Sequence, residues 1–338
     1  MILKAVKIFL FSAVIGLLFF TSWFTVEWKI PYSSQSEPDF FSVPSGSSVE
    51  RITRDLQKAG ILKKRWPFSI GYKFFYHPNT LKAGEYSLSP SFSPKDVLHA
   101  LAMGKVYVRP MTIPEGLTRQ ETASLLEEEY GITAERFVKI TSCPDLMKDW
   151  DPQAESLEGY LFPETYHFPR TVKAETVVEA MVAQFREVFS DTWKKRAGEM
   201  EKTPREIVIL ASLVEKETAV PEERALISSV FHNRLNRGMK LDCDPTIIYA
   251  LKEEERYTGR LRYRDLKWDS PYNTYVHAGL PPGPICNPGR GSLQAALFPE
   301  KTNYLYFVSK NDGSHYFSRT LKEHQRAVFK YQINRKNP

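Results

Sequence analysis

The sequence predicts an α+β protein with an N-terminal transmembrane helix, a small strand–helix module and a larger mixed domain with a helical core. Three observations support this prediction. An uncharged apolar run occupies the extreme N-terminus, strand–turn–helix patterns recur in the first half, and helical patterns alternate with loops rich in proline and glycine in the second half. We accordingly divide the 338 residues into an anchor (1–30), a linker (31–39), a module (40–105) and a main domain (106–338).

Residues 8–26 form an uncharged, mostly apolar run of 19 residues. At about 1.5 Å per residue, a helix of this length spans roughly 28 Å, close to the hydrocarbon thickness of a bilayer. Lys4 and Lys7 precede the run and Glu27 follows it, so the positive-inside rule places the short N-terminus in the cytoplasm. We therefore predict a single-pass protein of the cytoplasmic (inner) membrane, with the rest of the chain on its outer or periplasmic side.

A cleaved signal peptide is the main alternative for this run. The run is longer than the apolar core of a usual signal peptide, and no A-x-A-like cleavage site follows it. Trp23 and Trp28 lie where the interfacial aromatic belt of a transmembrane helix is expected. These features favour an uncleaved anchor.

A weak internal repeat follows the polar, proline-bearing linker. Residues 43–46 lead into an amphipathic stretch at 49–56, and residues 113–116 lead into a similar stretch at 121–126. Each copy predicts a short strand, a tight turn and a helix that ends near a glycine. The segment 40–105 looks similar to a LysM-like module, a small fold often associated with glycan chains. A simple spacer that holds the main domain away from the membrane is the alternative, and both remain open.

The main domain is predicted to begin with a strand-rich segment from about residue 106. Helices are predicted over 174–196, 204–218 and 221–236, and a short strand over 304–309. Loops dense in proline, glycine and asparagine separate the later elements, a mixture typical of an α+β domain with a helical core.

The composition is that of a folded protein and excludes some functions. Hydrophobic residues make up 42% and charged residues 25%, which argues against long-range disorder. The net charge of +6 comes from dispersed lysines and arginines without a basic arm, so no nucleic-acid partner is predicted. An anionic lipid surface or an acidic wall polymer would suit this charge.

Cysteine and histidine spacing gives no sign of a metal site. Cys143, Cys243 and Cys286 form no CxxC pair. His315 and His324 lie apart from other metal-type ligands and are interpreted as structural. We predict no metal and no cofactor.

Glu217 is the candidate general acid. On the helix predicted over 204–218 it falls in the same arc as the apolar Leu210 and Val214, whereas Glu215 points to the other side. A carboxyl held against apolar neighbours has a raised pKa and can donate a proton near neutral pH. The alternative is that Glu217 ends an exposed helical turn and pairs with Arg224 or Lys216.

Several motifs of this chain strongly resemble those of the YceG-like family, the endolytic murein transglycosylases. The likeness spans nearly the whole chain, including the N-terminal anchor. The motifs that carry it are ASLVEKETA (211–219), FHNRL (231–235), DPTIIY (244–249), LEGYLFPETY (157–166), SPYNTY (270–275), GLPPGPI (279–285), NPG (287–289) and YLYFV (304–308). In that family the catalytic glutamate lies in a Glu-Thr-Ala context, which the resemblance carries to Glu217.

The resemblance implies a lytic transglycosylase reaction carried out by one carboxyl group. The acid protonates the bridging oxygen between N-acetylmuramic acid and N-acetylglucosamine. The same group, now a carboxylate, takes the proton of the muramoyl 6-hydroxyl, which attacks the anomeric carbon and leaves a 1,6-anhydro end. The family also implies an endolytic cut within nascent glycan strands that limits their elongation. Its implied partners are peptidoglycan, the membrane and peptidoglycan synthases.

Other residues of these motifs are candidates for substrate binding. Asp244 is predicted either to cap a helix, with Pro245 in the first helical position, or to contact the substrate. Tyr272, Asn273 and Tyr275 lie in a proline-flanked loop. They either stack on a sugar ring and bind its acetamido group, or belong to a loop that packs on itself.

Asn233, together with Arg234, is either a helix-surface or capping group or part of the cleft. Glu158 and Glu164 are the leading candidates for a second acidic group.

Two alternative functions also remain. One is a non-catalytic peptidoglycan-binding scaffold, which the intact Glu-Thr-Ala context disfavours. The other is a muramidase that hydrolyses the same bond with water. Only analysis of the products distinguishes a muramidase from a transglycosylase.

Overall fold

The computed structural model describes residues 2–34, 37–77 and 81–334. The chain divides into two compact units. Unit 1 comprises Met1–Pro110 and His167–Thr171, and unit 2 comprises Met111–Tyr166 and Val172–Pro338. The described chain combines helices with three short two-stranded sheets, which confirms the predicted α+β class.

Helix α1 (Ile2–Lys29) contains a stretch, Val6–Lys29, that is long and apolar enough to cross a membrane, with a mean hydropathy of 2.0. Its last turn is part of unit 1, because the Trp28 ring is only 6% exposed and packs in the core of that unit. A Cβ atom on Gly71 would come within 2.2 Å of this ring, so the close approach requires a glycine. The end of α1 thus packs within unit 1, and the bounds of the linker at 31–39 stay a prediction.

Unit 1 continues with two strands and three helices. They are β1 (Asp39–Val43), α2 (Val49–Lys58), α3 (Arg65–Gly71), β2 (Gly84–Leu88) and α4 (Pro94–Met103). A π-helical turn, Tyr72–Tyr76, extends α3. The two strands are antiparallel, and Phe41 lies opposite Tyr86 with both side chains buried. This strand–helix–helix–strand order does not by itself distinguish a glycan-binding module from a spacer, so the LysM-like assignment stays a prediction.

The next segment is mainly helical, so the predicted strand-rich start of the main domain is wrong. It contains β3 (Arg109–Thr112), α5 (Arg119–Tyr130), α6 (Ala134–Thr141) and β4 (Thr165–Phe168), and β3 pairs with β4. Thr118 and Glu121 form a capping box that begins α5. The apolar and aromatic residues that suggested further strands are buried in a loop instead, among them Tyr160 and Phe162.

The predicted helical core of the main domain is confirmed. Its helices are α7 (Ala174–Val188), α8 (Asp191–Glu199), α9 (Pro204–Glu217), α10 (Arg224–Asn236), α11 (Asp244–Glu253) and α12 (Arg290–Leu297). The helix predicted over 174–196 is thus two helices, which a break at Phe189 and Ser190 separates. Helix α9 lies at the centre and contacts α8, α10, α11 and α12. Every residue of α9 from Ile207 to Val214 is buried as a result.

A β-hairpin and one more helix follow α12. Strands β5 (Tyr306–Ser309) and β6 (His315–Ser318) are antiparallel, with Phe307 opposite Phe317. Helix α13 (Leu321–Val328) packs against both strands. The hairpin also contacts α10 through β5, which brings it close to the C-terminal end of α9.

Candidate active site

Glu217 is the last residue of α9 and lies in a cavity. The helix ends there because Thr218 adopts an extended conformation, with φ −145° and ψ 136°. The cavity has a volume of about 400 Å³. Besides Glu217 it is lined by Arg234, Leu241, Asp242, Asp244, Tyr275, Tyr306, Phe307, Leu321 and His324.

The surroundings of Glu217 favour a carboxyl that is half protonated at neutral pH. The pKa of Glu217 is raised to about 7, mainly by burial and to a smaller extent by the charge of Asp244. The thiol of Cys243, with Sγ 3.1 Å from Oε1, and the more distant charges of His315 and Arg234 act in the opposite direction. Although the residue is partly exposed to the cavity, the protein around its carboxyl therefore disfavours the charged form.

Cys243 is a buried hydrogen-bond donor to this carboxyl. The residue is 1% exposed, and its backbone N–H donates to the Thr274 hydroxyl at 3.0 Å. Burial raises the pKa of the thiol well above its usual value, so it stays protonated and donates to Glu217. The sequence patterns did not reveal this contact, because Cys243 and Glu217 are 26 residues apart, Glu217 at the end of α9 and Cys243 just before α11.

Asp244 and Tyr275 lie in the same cavity as Glu217. Asp244 is the first residue of α11, and Cys243 occupies the N-cap position, so the prediction that Asp244 caps the helix is wrong by one residue. Pro245 is then the second residue of α11. This position is as compatible with proline as the first, because the N–H groups of the first helical turn have no partner within the helix. The Asp244 carboxylate is free of that capping role and accepts a hydrogen bond from the Tyr275 hydroxyl at 2.5 Å.

Arg234 is the main cation of the cavity. Its guanidinium donates to the carbonyls of Leu305 at 2.7 Å and Leu241 at 2.9 Å, and to the carboxylate of Asp242 at 3.0 Å. Its side chain is only 9% exposed. These bonds hold the guanidinium in the lining of the cavity that contains Glu217, so of the two positions that the FHNRL motif left open Arg234 occupies the cleft.

Three of the predicted substrate-binding residues lie outside this cavity. The side-chain amide of Asn233 donates hydrogen bonds to the carbonyls of Thr302 and Tyr304. It thereby fixes the segment that precedes β5. Asn273 is fully buried, and its amide donates to backbone carbonyls of its own loop. Tyr272 packs against Tyr249, with ring centroids 5.0 Å apart, beside a separate cavity of about 310 Å³.

Glu158 lies in that separate cavity and not beside Glu217. Both of its carboxylate oxygens accept the backbone N–H of Arg119 at 3.1 Å, at the start of α5. Burial raises its pKa to about 8. Glu164 lines neither cavity; its backbone carbonyl accepts the N–H of Ile113 at 3.0 Å. The acidic groups that do accompany Glu217 are Asp242 and Asp244.

Glu215 differs from Glu217 in its partners rather than in burial. The sequence placed Glu215 away from the buried face, but α9 is surrounded by other helices, and the Glu215 side chain is only 6% exposed. It accepts the backbone N–H of Gly289 at 3.0 Å and lies 3.6 Å from the guanidinium of Arg224. The alternative pairing of Arg224 with Glu217 is therefore wrong, since Arg224 pairs with Glu215 and Glu115.

The two histidines interpreted as structural have different surroundings. His315 forms a hydrogen bond with Glu223, with Nδ1 2.6 Å from Oε2, and both side chains are 12% exposed. His324 lines the Glu217 cavity and stacks on Tyr306 at a centroid distance of 5.2 Å. Within the described residues, no group of three or more His, Cys, Asp or Glu side chains could hold a metal ion.

Comparison with known proteins decides the family. The sequence profile of the YceG-like family matches residues 41–330, which include every residue of the Glu217 cavity. The chain belongs to the YceG-like family. The resemblance seen in the sequence motifs is thereby confirmed.

Two named proteins and one crystal structure are similar to this chain over most of its length. The endolytic murein transglycosylase of Bacillus subtilis (strain 168) is 35% identical over 313 residues, which cover 88% of this chain and 85% of that protein. The endolytic murein transglycosylase of Streptococcus pneumoniae serotype 2 is 32% identical over 332 residues, covering 87% of this chain and 58% of that protein. A crystal structure of a YceG-like protein of Listeria monocytogenes is 34% identical, with a TM-score of 0.59, and covers 86% of this chain and 99% of that one.

Proposed function

We propose that this chain is an endolytic murein transglycosylase, a lyase that cuts peptidoglycan glycan strands, and that Glu217 is its single acid/base. The relatives from Bacillus subtilis and Streptococcus pneumoniae carry that name. One observation about the cavity supports the role of Glu217 most strongly. Among its carboxyl groups, Asp242 is paired with Arg234 and Asp244 accepts the Tyr275 hydroxyl, whereas Glu217 has only a weak thiol donor and a pKa near 7.

The reaction uses Glu217 in two successive steps. Protonated Glu217 donates its proton to the oxygen that bridges N-acetylmuramic acid and N-acetylglucosamine, and the bond from that oxygen to the anomeric carbon breaks. The carboxylate then accepts the proton of the muramoyl 6-hydroxyl, whose oxygen bonds to the anomeric carbon. Glu217 is reprotonated by this step, and the strand ends in 1,6-anhydro-N-acetylmuramic acid.

The neighbours of Glu217 serve this cycle in different ways. We assign substrate contact to Asp244 and Tyr275, because both line the same cavity. Arg234 stabilises the carboxylate form between the two steps, since a fixed cation lowers the cost of the charge. Asn233, Tyr272 and Asn273 instead support the loops around the site.

Helix α1 serves as a single-pass anchor in the cytoplasmic membrane. Lys4 and Lys7 before the apolar stretch orient the N-terminus towards the cytoplasm. The chain that follows α1 then lies on the outer side of that membrane, where nascent glycan strands are made. A tether raises the effective concentration of the enzyme near those strands, so the cut limits strand elongation beside the peptidoglycan synthases.

Product analysis tests the reaction type. Purified peptidoglycan is digested with the full-length protein in detergent, and the fragments are analysed by mass spectrometry. We expect new 1,6-anhydro-muramoyl ends on internal fragments of the strands. New reducing ends in their place would show a hydrolytic muramidase. Intact strands after prolonged digestion would favour a non-catalytic peptidoglycan-binding scaffold.

A further inference from the structure

Unit 1 exposes two adjacent phenylalanines beside the end of the anchor. Phe74 is 74% exposed and Phe75 is 63% exposed, and both belong to the π-helical turn after α3. Side chains of this size rarely lie side by side in water unless they meet a partner or a membrane. Lys73 directly precedes them and is also exposed, so the turn presents a cation next to an apolar surface.

The turn and the anchor enclose an apolar groove of about 660 Å³, which we call the anchor groove. It is lined by Thr21, Phe24, Thr25, Trp28, Lys29, Phe75, Tyr76 and Lys95. The rings of Trp28 and Phe75 lie 6.1 Å apart. Since Trp28 is buried in the core of unit 1, the turn is held in a fixed position against α1.

The position of the groove along α1 sets its depth in a membrane. The uncharged run ends at Val26, and its roughly 28 Å length reaches across the hydrocarbon layer. Residues 21–29 therefore lie where the hydrocarbon gives way to the headgroups of the outer leaflet. A surface that packs against these residues shares their depth, so Phe74 and Phe75 face lipid rather than water.

The charges around the groove fit phospholipid headgroups. Lys29, Lys73 and Lys95 are exposed at or beside its rim. On the neighbouring side of α1, Lys64 pairs with Glu27 and lies 5.8 Å from the ring centroid of Trp23. Lysines at this depth extend towards the phosphates while their aliphatic parts remain in the apolar layer.

We propose that the anchor groove and the Phe74–Phe75 pair form a phospholipid-binding surface, by which unit 1 lies on the outer leaflet of the membrane that α1 spans. Acyl chains and glycerol backbones fill the groove, and Lys29, Lys73 and Lys95 contact the phosphates. The proposal rests on the anchor orientation given under Proposed function, but not on the catalytic role of Glu217. It makes unit 1 part of the membrane attachment.

Site-specific fluorescence in vesicles tests this surface. The full-length protein carries Cys143→Ser, which removes its exposed free cysteine, while Cys243 and Cys286 are buried. Phe74→Cys is labelled with an environment-sensitive fluorophore, and the protein is reconstituted in vesicles of phosphatidylglycerol and phosphatidylethanolamine. We expect the emission of the label to shift to the blue. When the vesicles contain a phospholipid with a nitroxide quencher near its headgroup, most of the emission intensity should be lost.

Tyr263→Cys in the same background is the matched control, because Tyr263 is 76% exposed and lies in unit 2. Its label should emit as in water and resist the lipid quencher. A Phe74 label that behaves like the Tyr263 label would overturn the proposal. A blue-shifted Phe74 label that the lipid does not quench would overturn it in favour of a protein partner. Failure of the protein to float with the vesicles would refute the membrane anchor and with it this proposal. The catalytic role of Glu217 is tested by a separate measurement, the glycan cleavage assay, so the two proposals can fail independently.

Discussion

The thiol of Cys243 donates a hydrogen bond to Oε1 of Glu217, with the two atoms 3.1 Å apart. A thiol is a weak donor, so it holds the carboxyl in place without stabilising its charged form as strongly as a hydroxyl or an ammonium group would. Burial then remains the largest influence on Glu217 and keeps its pKa near 7. A pKa near 7 suits the proposed role of Glu217 as both acid and base close to neutral pH.

Substitution of Cys243 should move the pH profile of strand cleavage in two opposite directions. Cys243→Ser introduces a stronger donor, so the pKa of Glu217 falls and the alkaline decline in initial rate begins at a lower pH. Cys243→Ala removes the donor, so the pKa rises and the decline begins at a higher pH. Initial rates measured between pH 5 and pH 9 check both shifts. Identical profiles for the two variants would show that the thiol does not influence Glu217.

Glu217 should lower the stability of the fold as the pH rises. In the unfolded chain its carboxyl ionises near pH 4.5, whereas in the folded protein it stays protonated up to about pH 7. Its contribution to stability is therefore greatest below pH 4.5, is lost between pH 4.5 and 7, and is level above pH 7. Glu217→Gln does not titrate, so thermal melts should show the variant gaining stability relative to the wild type over that interval. A constant difference in melting temperature from pH 4 to pH 8 would contradict the raised pKa.

The hydroxyl of Tyr275 should be needed for efficient cleavage because it orients Asp244. Tyr275→Phe keeps the ring but removes the hydrogen bond to the carboxylate. We expect a loss of about tenfold or more in kcat/KM, since a hydrogen bond to a charged group contributes roughly 1.5–3 kcal/mol. Tyr272→Phe is the matched control, because Tyr272 lies beside the other cavity. Equal losses in the two variants would remove the special role of the Tyr275–Asp244 pair.

The orientation of α1 predicts which side of the membrane is accessible to protease. Under the proposed orientation, with Lys4 and Lys7 on the cytoplasmic side, protease added to intact spheroplasts should degrade the chain that follows α1. A cytoplasmic marker protein serves as the control for membrane integrity. Protection of the two units until the membrane is broken would show the opposite orientation. A mature N-terminus beyond residue 20 would show a cleaved signal peptide.

The sequence predicted the helical core and the raised pKa of Glu217 correctly, but it did not identify which residues contact Glu217. The predicted positions of α9 and α10 came from hydrophobic periodicity and capping signals, which are local. The face argument for Glu215 failed because periodicity distinguishes faces only when one of them meets water, and α9 is surrounded. The contacts of Cys243 and Arg234 depend on segments distant in sequence, which no local pattern encodes.

The N-terminal half shows the same division. The apolar run predicted α1, and the repeat correctly placed helices at α2 and α5. The strand-rich interpretation of the next segment was wrong, because residues such as Tyr160 and Phe162 are buried in a loop by tertiary packing. Likewise, the burial of Trp28 in unit 1 depends on the close approach of Gly71, which is a tertiary contact.

Glu215→Gln is the matched control for the role of Glu217. Both residues are glutamates near the end of α9, and neither is fully exposed to solvent. It weakens the contact with Arg224 and should lower the free energy of unfolding by about 1–3 kcal/mol. Its amide can still accept the N–H of Gly289, so the folded variant should keep most of its cleavage activity. Thermal melts and cleavage assays below the melting temperature check both expectations.

The most direct test of the account compares Glu217→Gln with Glu215→Gln in the cleavage of purified peptidoglycan, followed by mass spectrometry of 1,6-anhydro-muramoyl ends. A general acid/base typically contributes about 10²–10⁴-fold, and here one residue serves both steps. We therefore predict that Glu217→Gln forms these ends at least about a hundredfold more slowly than the wild type while remaining folded, and that Glu215→Gln forms them at a rate close to wild type. An active Glu217→Gln variant beside an inactive, folded Glu215→Gln variant would contradict the assignment.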